Sequence, residues 1–258
     1  MRLMKRILSA AAVLALSASL LVGCSSGTAS SVPVSASSAA ESTVSSVEET
    51  ASSAVDENEA AAAQLLNDLT GSYQELWPVI LADEYQQTWL DDCTALVGED
   101  NAEAAFEKLS SMVTGDVYGE DAVKAYANGG GAYFCGFTNS LATLTFDGET
   151  STISGTDKDG NVLFSHTYHY IGMEPVHGLY EFESDDADSG EFTYFFLAPD
   201  TSAETYHIEF RYGSDADALS QYDAGDYAYW VASGISTDCD QTMIDNCIEL
   251  FCTENLAG

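Results

Sequence analysis

The sequence predicts an α+β domain, mainly β: an antiparallel β-barrel with N-terminal helices and a C-terminal helix. Three observations predict it. Helical patterns dominate residues 58–126 and return over 237–254. Seven runs between 132 and 212 carry the two-residue alternation and the β-branched and aromatic content of strands. The breaks between them are hairpin chemistry, as at Asp147-Gly148, Asp159-Gly160 and Asp188-Ser189-Gly190. A meander of that length with alternating faces closes most simply into a barrel.

The first 23 residues read as a leader. Arg2, Lys5 and Arg6 precede an apolar run from Ile7 to Val22 that ends in Leu21-Val22-Gly23-Cys24. A short apolar stretch behind basic residues is a targeting signal, not a fold element. Its end resembles the bacterial lipobox, which implies cleavage before Cys24 and diacylation of the Cys24 thiol. Two acyl chains are enough for stable membrane anchoring. The expected location is therefore the extracytoplasmic face of the cell membrane; a plain secretory signal or a single spanning anchor is the other reading. Residues 24–62, rich in Ser, Ala, Val, Thr and Glu, read as a flexible linker that buries too little apolar area to offset its ordering entropy. Residues 63–258 suit one domain.

Within that domain, Asn58–Leu69 is a strong helix former, broken at Gly71. Tyr73, Leu76, Trp77, Ile80 and Leu81 recur at helical spacing. Further helices are expected over Tyr85–Leu96, Asn101–Met112 and Asp121–Tyr126. Gly129-Gly130-Gly131 then marks the change to strands, expected over Ala132–Thr138, Ser140–Phe146, Ser151–Gly155, Val162–Ile171, Leu179–Ser184, Glu191–Leu197 and Thr205–Tyr212. Thr237–Glu254 is helical again, with Met243, Ile244, Cys247, Ile248, Phe251 and Cys252 available to pack.

The chain carries 42 acidic residues against 7 basic ones, a formal charge of −35. Without Arg2, Lys5 and Arg6 the basic residues are Lys108, Lys124, Lys158 and Arg211. Such a chain does not bind nucleic acid by neutralising phosphates. Most of the charge reads as a solvated surface. Beyond Cys24 there are Cys93, Cys135, Cys239, Cys247 and Cys252, an odd number, so one thiol at least is unpaired or pairs between chains. There is no C-x-x-C, and the connectivity stays open.

The strand Thr205–Tyr212 alternates strictly. Tyr206, Ile208, Phe210 and Tyr212 share one face; Thr205, His207, Glu209 and Arg211 share the other. Imidazole and carboxylate two residues apart on one face suit zinc or another divalent ion. A surface hydrogen-bonded pair is the alternative. His166 and His169 point to opposite faces of their strand, so they do not serve one interior site together. The acidic turns Asp157-Lys158-Asp159-Gly160 and Asp185–Gly190 lack the ligand set of a calcium loop. Within residues 63–258 no G-x-S-x-G, H-E-x-x-H or phosphate loop occurs, so the chain reads as a binding protein and not an enzyme.

Several stretches together resemble the ZinT (YodA) family of zinc-binding proteins. They are Ala198-Pro199-Asp200-Thr201-Ser202, then Tyr206-His207-Ile208, Gly213-Ser214-Asp215 and Tyr227–Trp230. Leu69–Pro78, Tyr126-Ala127, Ser165–Gly172 and Leu179–Glu183 are similar to further family segments in the same order. The resemblance implies a calycin, lipocalin-like barrel outside the cytoplasm that binds zinc through histidines and passes it to a metal-uptake transporter. The family has one His shortly before its Ala-Pro turn and a His-x-His pair after it. Here the first position falls near Phe195 or Phe196, and the pair becomes Thr205 and His207. Only His207 carries over. Glu209 and His169 are the expected substitutes, making His207, Glu209 and His169 the candidate metal ligands. The alternative is a calycin-like module without the metal, whose aromatic cup holds a small apolar or aromatic ligand.

Overall fold

The computed structural model describes residues 57–199 and 207–257. The leader, Cys24, linker residues up to 56 and Thr205 lie outside the described residues. Helix α1 spans 57–68, reaching into the stretch read as linker, and buries Ala62, Leu65 and Leu66.

Eight strands among the described residues form a closed barrel in which each strand pairs with its sequence neighbour. They are β1 (Gly71–Glu75), β2 (Thr143–Asp147), β3 (Thr152–Thr156), β4 (Val162–Met173), β5 (Tyr180–Ser184), β6 (Tyr194–Leu197), β7 (His207–Gly213) and β8 (Ala232–Ser236). All pairs are antiparallel, and β1 closes the ring by pairing with both β2 and β8. Alternation decides which residues enter the barrel. Leu144 and Phe146 of β2, Phe182 of β5, Phe195 of β6 and Ile208, Phe210 and Tyr212 of β7 are buried in one cluster. Their rings pack on one another: Phe195 lies 5.4 Å from Tyr212 and from Tyr168. Among the described residues the interior is thus packed with aromatic and aliphatic side chains. Opposite Phe164, β3 carries Gly155, where a Cβ would come within 2.4 Å of the Phe164 ring. The ring takes that space.

A second core lies outside the barrel, over β1 and β8. It is built from α2 (Leu76–Ile80), α3 (Gln86–Val97), α4 (Glu99–Val113) and α7 (Gln241–Leu256). Helix α4 buries Ala102, Ala105, Leu109 and Val113 at helical spacing, and Glu99 and Asp100 face its positive N-terminal end. Helix α7 starts where the Asp240 side chain accepts from the Met243 N–H, and it buries Ile244, Cys247, Ile248, Phe251 and Cys252. Ile235, on the outer face of β8, joins this core. Two short helices, α5 (Glu120–Ala127) and α6 (Ala216–Leu219), lie in the connections.

Three expectations are corrected. Ala132–Thr138 is not a strand: Phe134 makes only isolated bridges, to Thr114 and to Trp230. The stretch is instead pinned against interior-facing residues. The Phe137 N–H donates to Glu75 Oε1 at 2.5 Å, the Thr138 N–H donates to the Tyr212 hydroxyl, and Trp230 Nε1 donates to the Gly136 carbonyl. Residues 71–75 form β1 and not part of a helix. Glu191 and Phe192 belong to a 3-10 turn (Gly190–Phe192) ahead of β6. Of the seven expected strands Ala132–Thr138 drops out, and β1 and β8, which the sequence did not reveal, bring the number to eight among the described residues.

Candidate metal site

Strand β7 places the site. Because Ile208, Phe210 and Tyr212 point into the barrel, His207, Glu209 and Arg211 point out. The outer face there is covered, which removes these polar groups from water. His207 pairs across to Ile235 and Glu209 to Ser233 on β8, beneath the helical layer. His207 Nε2 lies 3.7 Å from Glu209 Oε1, and both side chains are more than four-fifths buried. On the other side of the ring, His207 Nδ1 lies 3.8 Å from the Cys247 sulfur of α7. Burial disfavours the imidazolium. The nearness of Cys247 and of the Glu209 carboxylate outweighs burial and raises His207 well above its ordinary value near 6.5.

Cys135 is nearby and buried. Burial first, and the Glu209 charge second, push its thiol strongly up, so it stays protonated. Outside the barrel an open groove of about 330 Å³ is bordered by Glu75, Trp77, Pro78, Asp116, Phe134 and Cys135.

His169 is not brought to this site. It points out from β4 and meets Asp185 Oδ1 at 2.7 Å with half its side chain exposed. Strand β4 is three places round the barrel from β7, an arc of roughly 14 Å at the usual strand spacing. His166, on the opposite face of β4, meets Asp186 at 2.7 Å, and His177 lies 3.2 Å from the buried carboxylate of Glu174. Phe195 fills the barrel and Phe196 packs outside it, so neither supplies a donor where the ZinT resemblance has its first His. Among the described residues no three His, Cys, Asp or Glu side chains converge as a metal would need. Cys247 is the neighbour the sequence reading missed. It looked like one more apolar position of α7.

The closed antiparallel meander with helices packed on its outside is a calycin-like barrel. Among solved structures it is similar to the Zn(II)-bound ZinT-like domain of Streptococcus pneumoniae AdcA, with a TM-score of 0.45 and 16% sequence identity over 71% of this chain and 89% of that one. It is also similar to Zn(II)-bound AdcA of Streptococcus pneumoniae, with a TM-score of 0.42 and 15% identity over 75% of this chain and 35% of that one. This chain thus spans about a third of that longer protein. No family model matches the sequence, and no curated protein does. The zinc belongs to those structures; for this chain the site stands on its own residues.

Proposed function

We propose that the chain is a divalent-metal-binding protein, with zinc as its preferred ion, anchored through Cys24 on the outer face of the cell membrane, where it captures the ion and supplies an uptake system. One observation carries the reading: the facing pair His207 Nε2 and Glu209 Oε1, 3.7 Å apart and shielded from bulk water. Zinc bonds of 2.0–2.2 Å in a tetrahedral shell set such donors about 3.4 Å apart, so a shift of a few tenths of an ångström would suffice. Cys247 beside Nδ1 occupies the place where a metal-bound imidazole keeps its orienting partner. Two protein donors leave the remaining positions to water. That suits an ion that must be released, whereas a structural zinc takes four protein ligands.

Calorimetric zinc titration of the chelator-stripped chain, beside His207→Ala and Glu209→Gln, tests the reading. One stoichiometric site, lost in both variants, is expected. Weak uptake at many sites, unchanged by either substitution, would reduce the metal binding to the acidic surface.

The open groove beside Trp77 and Phe134 favours a second reading, the binding of a small apolar or aromatic ligand. On that reading the ligand sits outside the barrel, because rings fill the interior.

A further inference from the structure

We propose that Cys93 and Cys252 form a reversible disulfide that ties the C-terminal helix to the helical layer. Cys93 lies on α3 and Cys252 on α7, two helices that pack on each other. Their sulfurs are 3.9 Å apart and both residues are fully buried. A disulfide bond is about 2.05 Å long, so the sulfurs must approach by roughly 1.9 Å, a distance side-chain rotation covers when the backbones already face each other.

The pairing is selective. Cys247, one and a half turns earlier on α7, faces the other way, towards His207. Cys135 is enclosed near Glu209, and Cys239 precedes the helix. The two partners are 159 positions apart in sequence, so the bond would close a very long loop of the unfolded chain. The rings of Trp89 and Phe251, one on each helix, meet edge to face 5.8 Å apart beside the pair.

The step is thiol–disulfide exchange with a disulfide oxidant. One thiolate attacks the oxidant's S–S bond, a thiolate leaves, and a mixed disulfide forms. The second protein thiolate then attacks that mixed disulfide and releases the other half of the oxidant. Two electrons pass from the cysteine pair to the oxidant, and the two thiol protons end on its two reduced sulfurs. Burial pushes both thiols up, so exchange is slow in the folded chain and fastest while α7 is docking. Persistence of the bond in the cell rests on the extracytoplasmic location proposed above; its formation in vitro does not.

The test is independent of that location. The reduced full chain is refolded with oxidised glutathione and mapped by mass spectrometry after alkylation, and its melting temperature is compared with and without a reductant. Cys252→Ala serves as control. A Cys93–Cys252 cross-linked peptide is expected, with a melting temperature raised by about 5–15 °C over the reduced chain, a rise missing in Cys252→Ala. Full alkylation of both residues, or their capture in pairs with other cysteines or with glutathione, would overturn the proposal. If the variant does not fold, the cross-link map of the unsubstituted chain decides alone.

Discussion

The guanidinium carbon of Arg211 lies 4.1 Å above the ring of Tyr222, with the arginine fully removed from solvent. Among the described residues this cation is held by the Tyr222 ring face and by a bond from Nη2 to the Tyr227 carbonyl at 2.6 Å. Burial is the main force acting on Arg211 and lowers its pKa; the nearby Tyr222 and Glu174 work against that. Glu174 is equally buried. Burial alone would raise its carboxyl, but hydrogen bonds from His177 and Val176 hold it below its ordinary value. Arg211 thus fastens residues 215–230 over β7 while offsetting a buried negative charge. Arg211→Met keeps much of the volume, leaves the Tyr227 carbonyl without its donor and takes a positive charge from the neighbourhood of Glu174, which keeps its bonds from Val176 and His177. It should cost about 3 kcal/mol in urea unfolding. Arg211→Lys should recover only part of that loss, since an ammonium cannot stack flat on the ring while reaching the carbonyl.

A proton and a zinc ion compete for the His207 ring, which fixes a pH dependence. The folded pKa of His207 is raised, so protonation stabilises the fold. That contribution is complete below the unfolded value near 6.5 and is lost as pH rises through the raised folded value. Zinc binding runs the opposite way. Below the raised pKa the ion must displace a proton, and the logarithm of affinity should climb by about one per pH unit. Titrations in buffers of different ionisation enthalpy should count about one proton released per ion, and His207→Ala should remove the slope.

How much of this was legible in the sequence depends on whether a residue's partner lies within its own element. The faces of β7 were, because Ile208, Phe210 and Tyr212 alternate with His207, Glu209 and Arg211. So was α4, whose small and apolar residues recur at helical spacing. Strand β8 was not. Its inner positions are Ala232 and Gly234 because Phe210 and Ile208 opposite them fill the barrel, and a Cβ at Gly234 would lie 3.0 Å from Ile208 Cγ1. Small residues leave no periodic signal. Strand β1 was hidden for another reason: Tyr73, Leu76, Trp77 and Ile80 share a helical spacing, yet Tyr73 enters the barrel while the others enter the helical core. The pair His207–Glu209 could be read from one strand. The approach of Cys247 to His207, 40 positions away, is made by the docking of α7 and has no local trace. The distance of His169 from β7 is likewise a property of barrel closure, not of the β4 sequence.

That distance makes His169 a discriminating position. Its ring is half exposed and meets Asp185, also half exposed, so the pair adds little to stability. His169→Ala should leave stoichiometric zinc binding intact and change unfolding stability by less than about 0.5 kcal/mol. The same calorimetric titration that separates His207→Ala from the unsubstituted chain checks this. Loss of the site in His169→Ala would place the metal at β4 and overturn the assignment to β7.

Gly148 tests the docking of α1 on the barrel. It sits in the turn between β2 and β3, where its N–H is held by the Thr70 hydroxyl at 3.0 Å. A Cβ there would come within 2.4 Å of the Asn67 Cα and 2.5 Å of the Leu66 carbonyl oxygen. Both are backbone atoms, so no side-chain rotation relieves the clash, and either the turn or the end of α1 must move. Leu65, Leu66 and Leu69 of this region are buried in the barrel's core cluster, so displacement would uncover apolar surface. Gly148→Ala should destabilise the domain by about 2–3 kcal/mol, within the range of overpacking substitutions. Hydrogen exchange should show the lost protection concentrated in residues 57–70 and 143–156. A stability equal to that of the unsubstituted chain would mean that α1 yields at no cost and is not part of the cooperative fold.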